Sequence, residues 1–209
     1  MAPISQTDIC NLALGHLAQR PIQIITEASP AANACLRIWD AARREALRGH
    51  DWSFATTIRY LALVKEYTVA GAVVPAHGFL YEYAYPSDVV ALWHVYNEST
   101  QDRTSGEVFR ELLDADTGLR IVGTNIAYAI GECTYDLEDT SLYDANFVNV
   151  LSYLLAAKLA NALCGDQELA KAMMVIYNSQ MSEAERMSSY ENNDIHGSSE
   201  QSSLIDARG

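Results

Sequence analysis

Residues 142–163, LYDANFVNVLSYLLAAKLANAL, form the longest apolar run in the chain, and the rest of the sequence must supply its cover. Phe147, Leu151, Leu154, Leu155, Leu159 and Leu163 recur at steps of three and four, the spacing that stacks side chains on one helical face. Ala156, Ala157, Ala160 and Ala162 widen that face with small residues, so another helix can approach closely. A helix this apolar needs burial on more than one side. Ser141 and Asp144 stand three apart, like a capping box with Asp in place of Glu. Gly165 sits where a left-handed residue ends a helix, and Asp166 offers an oxygen to cap the next one. A membrane-spanning reading fails on Asn146, Asn149, Lys158 and Asn161, which are expensive in lipid.

Two helices are expected before this run. Residues 5–19 carry Ile9, Leu12, Ala13 and Leu17 on one face, with Ser5 or Thr7 as cap and Pro21 as terminator. After a short extended connection, Ser29 and Pro30 read as N-cap and first helical residue of a helix that stops at Gly49. Its inner face is Cys35, Leu36, Trp39, Ala42, Ala46 and Leu47. Arg37, Arg44 and Arg48, seven and four apart, line its outer side. A solvated, salt-bridged face is the simpler account of them, and a docking strip for an acidic neighbour the sharper one.

From Trp52 the period changes to two. Ile58, Tyr60, Ala62 and Val64 alternate, as do Phe79, Tyr81, Tyr83 and Tyr85, and residues 89–96 read as a further strand with Leu92 and Val95 nearest the core. Residues 71–78 read as a loop, and 114–118 as a turn between strands at 108–112 and 119–122. Residues 126–135 alternate again. A last helix is predicted from Gln167 to about Met187, with Leu169, Met173, Ile176, Tyr177, Ala184 and Met187 as its stripe. Residues 188–209 have no period and are rich in Ser, Asn, Asp and Gly. They end near an apolar pair, Leu204-Ile205, which fits either a frayed terminus or a segment that orders on a partner.

These elements predict an α+β fold. The N- and C-terminal parts form a four-helix bundle, with a β-rich insert subdomain and an extended C-terminal tail. The expected boundaries are 1–50 for the first helices, 51–140 for the insert, 141–187 for the last helices and 188–209 for the tail.

Charge and motif content narrow the function. The formal net charge is -13, with 14 basic residues against 27 acidic ones, which disfavours a surface that grips nucleic acid. It is compatible with a surface past which DNA slides, because like charge prevents sticking. The N-terminus has neither a basic region nor an apolar stretch, so no signal peptide is expected. Cys10, Cys35, Cys133 and Cys164 lack metal-binding spacing and read as reduced core thiols. The five histidines are scattered, and no glycine-rich phosphate loop or nucleophile elbow is present. No cofactor or metal is therefore expected. Asp136, Glu138, Asp139 and Asp144 cluster but lack the glycine and terminal glutamate of a calcium loop. A hydrolase reading would pair Glu132 with Asp136 or Glu138, as any two carboxylates could be paired.

Four stretches carry a resemblance to a known family. They are ICNLALGHLAQRPIQIITEASPAANACLRIWD, ALRGHDWSFA, YAYPSDVVALWHVYN, and LRIVGTNIAYAIGECTYDLEDTSLYDANFVNVLSYLLAAKLANALCGD. Each is short, and their order and spacing across residues 8–187 are more specific than any one. In these, and in its LIDARG ending, the chain resembles the tail tubular protein A family, the head-to-tail adaptors of short-tailed bacteriophages. The resemblance implies a structural virion protein without catalysis, assembled in the host cytoplasm into the neck of the particle. It implies a ring, usually twelve-fold, beneath the portal, with neighbouring copies, the portal protein and tail nozzle proteins as partners. Genome DNA would pass through the lumen without specific binding. Arg37, Arg44 and Arg48 become interface candidates, and Leu204, Ile205 and Arg208 candidates for a portal-binding tail. The competing classes are a carboxylate-dependent cell-wall hydrolase, a head-completion or neck protein of a long-tailed phage, and a cytoplasmic helical regulator.

Overall fold

Capping residues divide the chain into helices largely where the sequence signals them. A computed structural model describes residues 3–68, 75–98 and 108–193, with side chains described as far as Ser188. The chain folds as two compact units: residues up to Phe54 with those from Asp139 onward, and Ala55–Glu138.

The first unit holds four helices, α1 (Gln6–His16), α2 (Pro30–Arg48), α3 (Ala145–Cys164) and α4 (Gln167–Asn193). Ser5 and Asp8 close a reciprocal capping box at the start of α1. Thr7 does not cap; its hydroxyl accepts from the Ile25 amide at 3.2 Å. The helix ends at Leu17, before left-handed Ala18, so Pro21 plays no part in stopping it. Asn11 then holds the connection by bonding both the carbonyl and the amide of Ile22, at 2.9 and 2.8 Å. Ser29 caps α2 with Pro30 at the first position, and Gly49 ends it.

α3 is the centre of this unit. Its N-cap is Asp144, which accepts from the Phe147 amide at 2.6 Å. Ser141 belongs instead to a short 3-10 turn, Thr140–Leu142, capped by Asp139. Gly165 ends α3 in the left-handed region, and Asp166 caps α4 through the Glu168 and Leu169 amides, both at 2.9 Å. Phe147, Leu151, Leu154, Leu155, Ala156, Leu159 and Ala160 are all enclosed, and they cover well over half of the helix surface. Phe147 sits among the rings of Trp52, Phe54 and Tyr143, with centroids 5.1, 5.1 and 4.8 Å away. By length and composition α3 is apolar enough to cross a membrane, but its apolar surface is spent on its neighbours.

The expected four-helix bundle with an insert is not what forms. The described residues form four helices and seven strands in two antiparallel sheets, and only the general α+β class stands. α1, α2 and α4 each pack on α3, which is buried on more than one side, whereas bundle helices each contribute one stripe to a shared interior. The strands have an apolar core of their own and so are not an appendage to the helices. Nor does an extended tail begin at Ser188, because α4 continues to Asn193.

The second unit contains β1 (Thr56–Tyr60), β2 (Leu63–Glu66), β3 (Tyr81–Ala84), β4 (Val89–Tyr96), β5 (Phe109–Leu113), β6 (Arg120–Thr124) and β7 (Ile130–Tyr135). One sheet has the order β1-β7-β4 and the other β2-β3-β6-β5, with every pairing antiparallel. The single alternating run at residues 58–64 is two strands in different sheets. Leu61 turns inward between them, and its amide donates to the Ala129 carbonyl at 2.8 Å. Asp114 organises the β5–β6 turn by accepting from the Thr117 hydroxyl at 2.6 Å, with Gly118 at φ +69°.

The core of this unit draws on both sheets. Tyr83 and Val122 come from one, and Leu92, Val95 and Cys133 from the other. Gly131, on the central strand β7, permits this packing. A Cβ there would stand 2.9 Å from Leu61 and 3.0 Å from Leu92. The buried Tyr83 hydroxyl donates to the Ile126 carbonyl at 2.9 Å and accepts from the Ala129 amide at 3.3 Å, pinning the turn before β7. Burial pushes its ionisation above the usual phenol range.

Candidate functional site

Helical spacing decides which arginines of α2 can meet a partner. Arg37, Arg44 and Arg48 are all exposed on the side away from Cys35, Trp39, Ala42, Ala46 and Leu47. Leu36 was expected on the inner face but is 51% exposed, one step round the helix beside Arg37. The fourth arginine, Arg43, is only 1% exposed, with its Nε 3.9 Å from Asp40. Sequence spacing missed it because an arginine between two apolar positions of an amphipathic helix reads as surface. Its stem is long enough to fill a core position, and it belongs to the packing and not to the outer strip.

Arg37 also borders a groove of about 360 Å³ between α2 and α3. Pro30, Ala34, Ile38, Leu159, Ala162 and Leu163 line it, and the small side chains among them leave the depression. Lys158 stands at the same groove, held to Glu45 of α2 at 2.7 Å. The outer side of α2 is thus a cationic ridge with an apolar trough beside it, in a chain whose net charge is strongly negative.

The end of α4 is tied to the end of α2. The His50 ring bonds the Ser188 hydroxyl at 2.9 Å, and Met181 packs so closely on Gly49 that a Cβ there would meet its methyl at 2.7 Å. Met181 was not among the residues expected on the apolar stripe, whereas Met187, which was, is exposed. Leu204, Ile205 and Arg208, the tail candidates, lie outside the described residues, as does the first half, 71–74, of the loop expected at 71–78.

The carboxylates of the hydrolase reading stand on β7 and just after it. Glu132 is buried in β7, with Ile58 and His94 opposite it on the neighbouring strands. Asp136 lies just beyond that strand, where its amide donates to the Asp88 carbonyl at 2.8 Å, and Glu138 is exposed. Asp139 and Asp144 are caps, and bonds from Ser141 hold the Asp139 carboxyl below the usual range. Among the described residues no three His, Cys, Asp or Glu side chains converge to hold a metal ion.

Two histidine pairs look like proton-relay fragments until their hydrogens are assigned. His16 Nε2 lies 3.0 Å from the Ser152 hydroxyl, with its ring stacked on Tyr153. That hydroxyl donates its one hydrogen to the Asn149 carbonyl at 2.8 Å, so it accepts from His16. A nucleophile needs the opposite direction. His77 accepts from the Phe79 amide through Nδ1 at 3.2 Å, so its Nε2 donates to Glu82 at 2.8 Å. Glu82 also accepts from the Tyr67 hydroxyl at 2.8 Å. This triad uses both ring nitrogens to hold the chain before β3. None of the four cysteines is in a disulfide, and donating its thiol hydrogen to Cys35, together with burial, holds Cys10 well above its usual range.

No family model matches the chain, and no curated protein matches it.

Proposed function

We propose that the protein is a structural head-to-tail adaptor, a subunit that closes into a ring below a phage portal and joins it to the tail. The observation that carries this reading is the row of Arg37, Arg44 and Arg48 on the exposed side of α2, in a chain of net charge -13. Between like-charged subunits a surface of reversed sign favours close contact, and this helix offers one. The sequence resemblance to the tail tubular protein A family supplies the biological setting. The acidic remainder suits a lumen through which DNA must slide without adhering. The portal protein, the nozzle proteins and neighbouring copies are the proposed partners, and no bond is made or broken.

The test is charge reversal. Arg44→Glu should weaken ring closure by about tenfold or more, equivalent to ~1.4 kcal/mol, while leaving the unfolding midpoint nearly unchanged. Assembly is read by sedimentation and folding by circular dichroism. A lowered midpoint with normal assembly would count against the proposal. Truncations that probe the tail should begin after Asn193, because Ser188 belongs to the fold through His50.

A further inference from the structure

A strained and exposed aromatic residue marks a second surface, on the β unit. Tyr128 is held at φ +57° and is 84% exposed. A left-handed conformation is costly for a residue with a Cβ, and glycine or asparagine would serve a plain turn better. The turn is not free to relax, because Tyr83 grips both sides of it, at Ile126 and Ala129. The fold therefore displays a large ring in water at a position where strain opposes it.

Two other residues complete the surface. Tyr60, at the end of β1, is 62% exposed, and its hydroxyl bonds the Glu98 carboxylate just beyond β4. Tyr60, Asn97, Glu98, Ala127 and Tyr128 line an open pocket of about 260 Å³. Asn97 steadies its floor through the Ala127 carbonyl, at 3.5 Å. Glu98 is exposed, and one of its oxygens takes the Tyr60 bond. Two tyrosine rings beside a carboxylate attract a cation through the ring faces and the charge together. A guanidinium fits this best, being planar, weakly hydrated and able to stack while it donates.

We infer that the Tyr60–Glu98–Tyr128 pocket receives an arginine from the α2 face of a second copy of this chain. The charge pattern selects that occupant. Residues 55–138 carry 12 acids against 5 bases, whereas α2 carries four arginines against two acids and exposes three of them on one side. A contact between two different surfaces of identical subunits is head-to-tail and propagates around a ring. This inference rests on the ring-forming reading above and names the surface that the arginines meet.

A charge swap tests it. Glu98→Arg copies alone should fail to assemble on the portal, because arginine meets arginine at every contact. Arg44→Glu copies alone should fail for the converse reason. Mixed one to one, the two variants should regain assembly to within a few-fold of wild type, since each pocket now meets an opposite charge. Tyr128→Gly should also lose assembly at least tenfold while its unfolding midpoint rises, a combination that a merely structural turn residue would not give. If Glu98→Arg assembles like wild type, or the mixture is not rescued, this pocket is not the partner surface and the ring reading survives. If wild type itself never self-assembles, with or without portal, both fall together.

Discussion

The two units expose different things. Among the described residues, the β unit leaves nine large apolar side chains exposed, including Tyr60, Leu63, Val64, Tyr128 and Tyr135. The longer helical unit leaves six, and its exposed strip on α2 is cationic. All four residues of the edge strand β2 face solvent, whereas α3 hides most of its surface. In the helical unit apolar matter stabilises the subunit, and charge lies on the exposed side of α2. In the β unit part of the apolar matter is itself on display, as on surfaces that recognise something.

The contrast can be broken most severely at Phe147. Replacement by alanine should cost about 3–5 kcal/mol, because the ring is fully enclosed by Trp52, Phe54 and Tyr143. Urea unfolding measures this, and a loss under about 1 kcal/mol would mean that α3 is not the centre of its unit. Gly131→Ala comes next, at about 1–3 kcal/mol, since Leu61, Leu92 and Cys133 all crowd the new methyl. Wild-type stability in this variant would show that the β core is looser than its contacts imply.

A smaller effect depends on pH. Burial holds His16 below its ordinary value of 6.5, so the folded state binds its proton less readily than the unfolded chain. Stability should be full above that value and fall as pH drops from it toward the lower folded pKa. His16→Gln should flatten this slope in melting curves taken between pH 7 and about 5, and an unchanged slope would assign the loss to other groups. Smallest is Gly49→Ala, expected to cost less than about 1 kcal/mol, because the methyl of Met181 can swing aside. A cost like that of Gly131→Ala would show α4 to be rigidly seated on α2.

Local signals were legible in the sequence, and long-range ones were not. Ser29-Pro30, Gly49, Gly165 and Asp166 mark helix ends through hydrogen bonds made within a few residues, and each stands where it was read. The alternation at residues 79–85 marked β3, though Glu82 is buried there as well as Tyr83. The break at Leu61 was hidden, because the period of two continues while the chain changes sheet. The bundle expectation failed for a related reason: periodicity gives the width of an apolar face but not the number of neighbours that cover it. For the candidate site, the spacing of Arg37, Arg44 and Arg48 showed a common face, while Arg43 turned inward without any signal. The Tyr60–Glu98–Tyr128 pocket could not be read, since its members meet only through the pairing of β1 and β4 with β7. Nothing in the sequence around Tyr128 announces a left-handed residue.

The central claim is that this subunit becomes a ring on a portal through its arginine face. Native mass spectrometry of the purified protein, alone and mixed with purified portal, tests it most directly. The account predicts a subunit that adds to the portal as one closed ring of copies, and an Arg44→Glu variant that does not. A protein that ignores the portal and keeps one small fixed oligomeric state in both samples would contradict it.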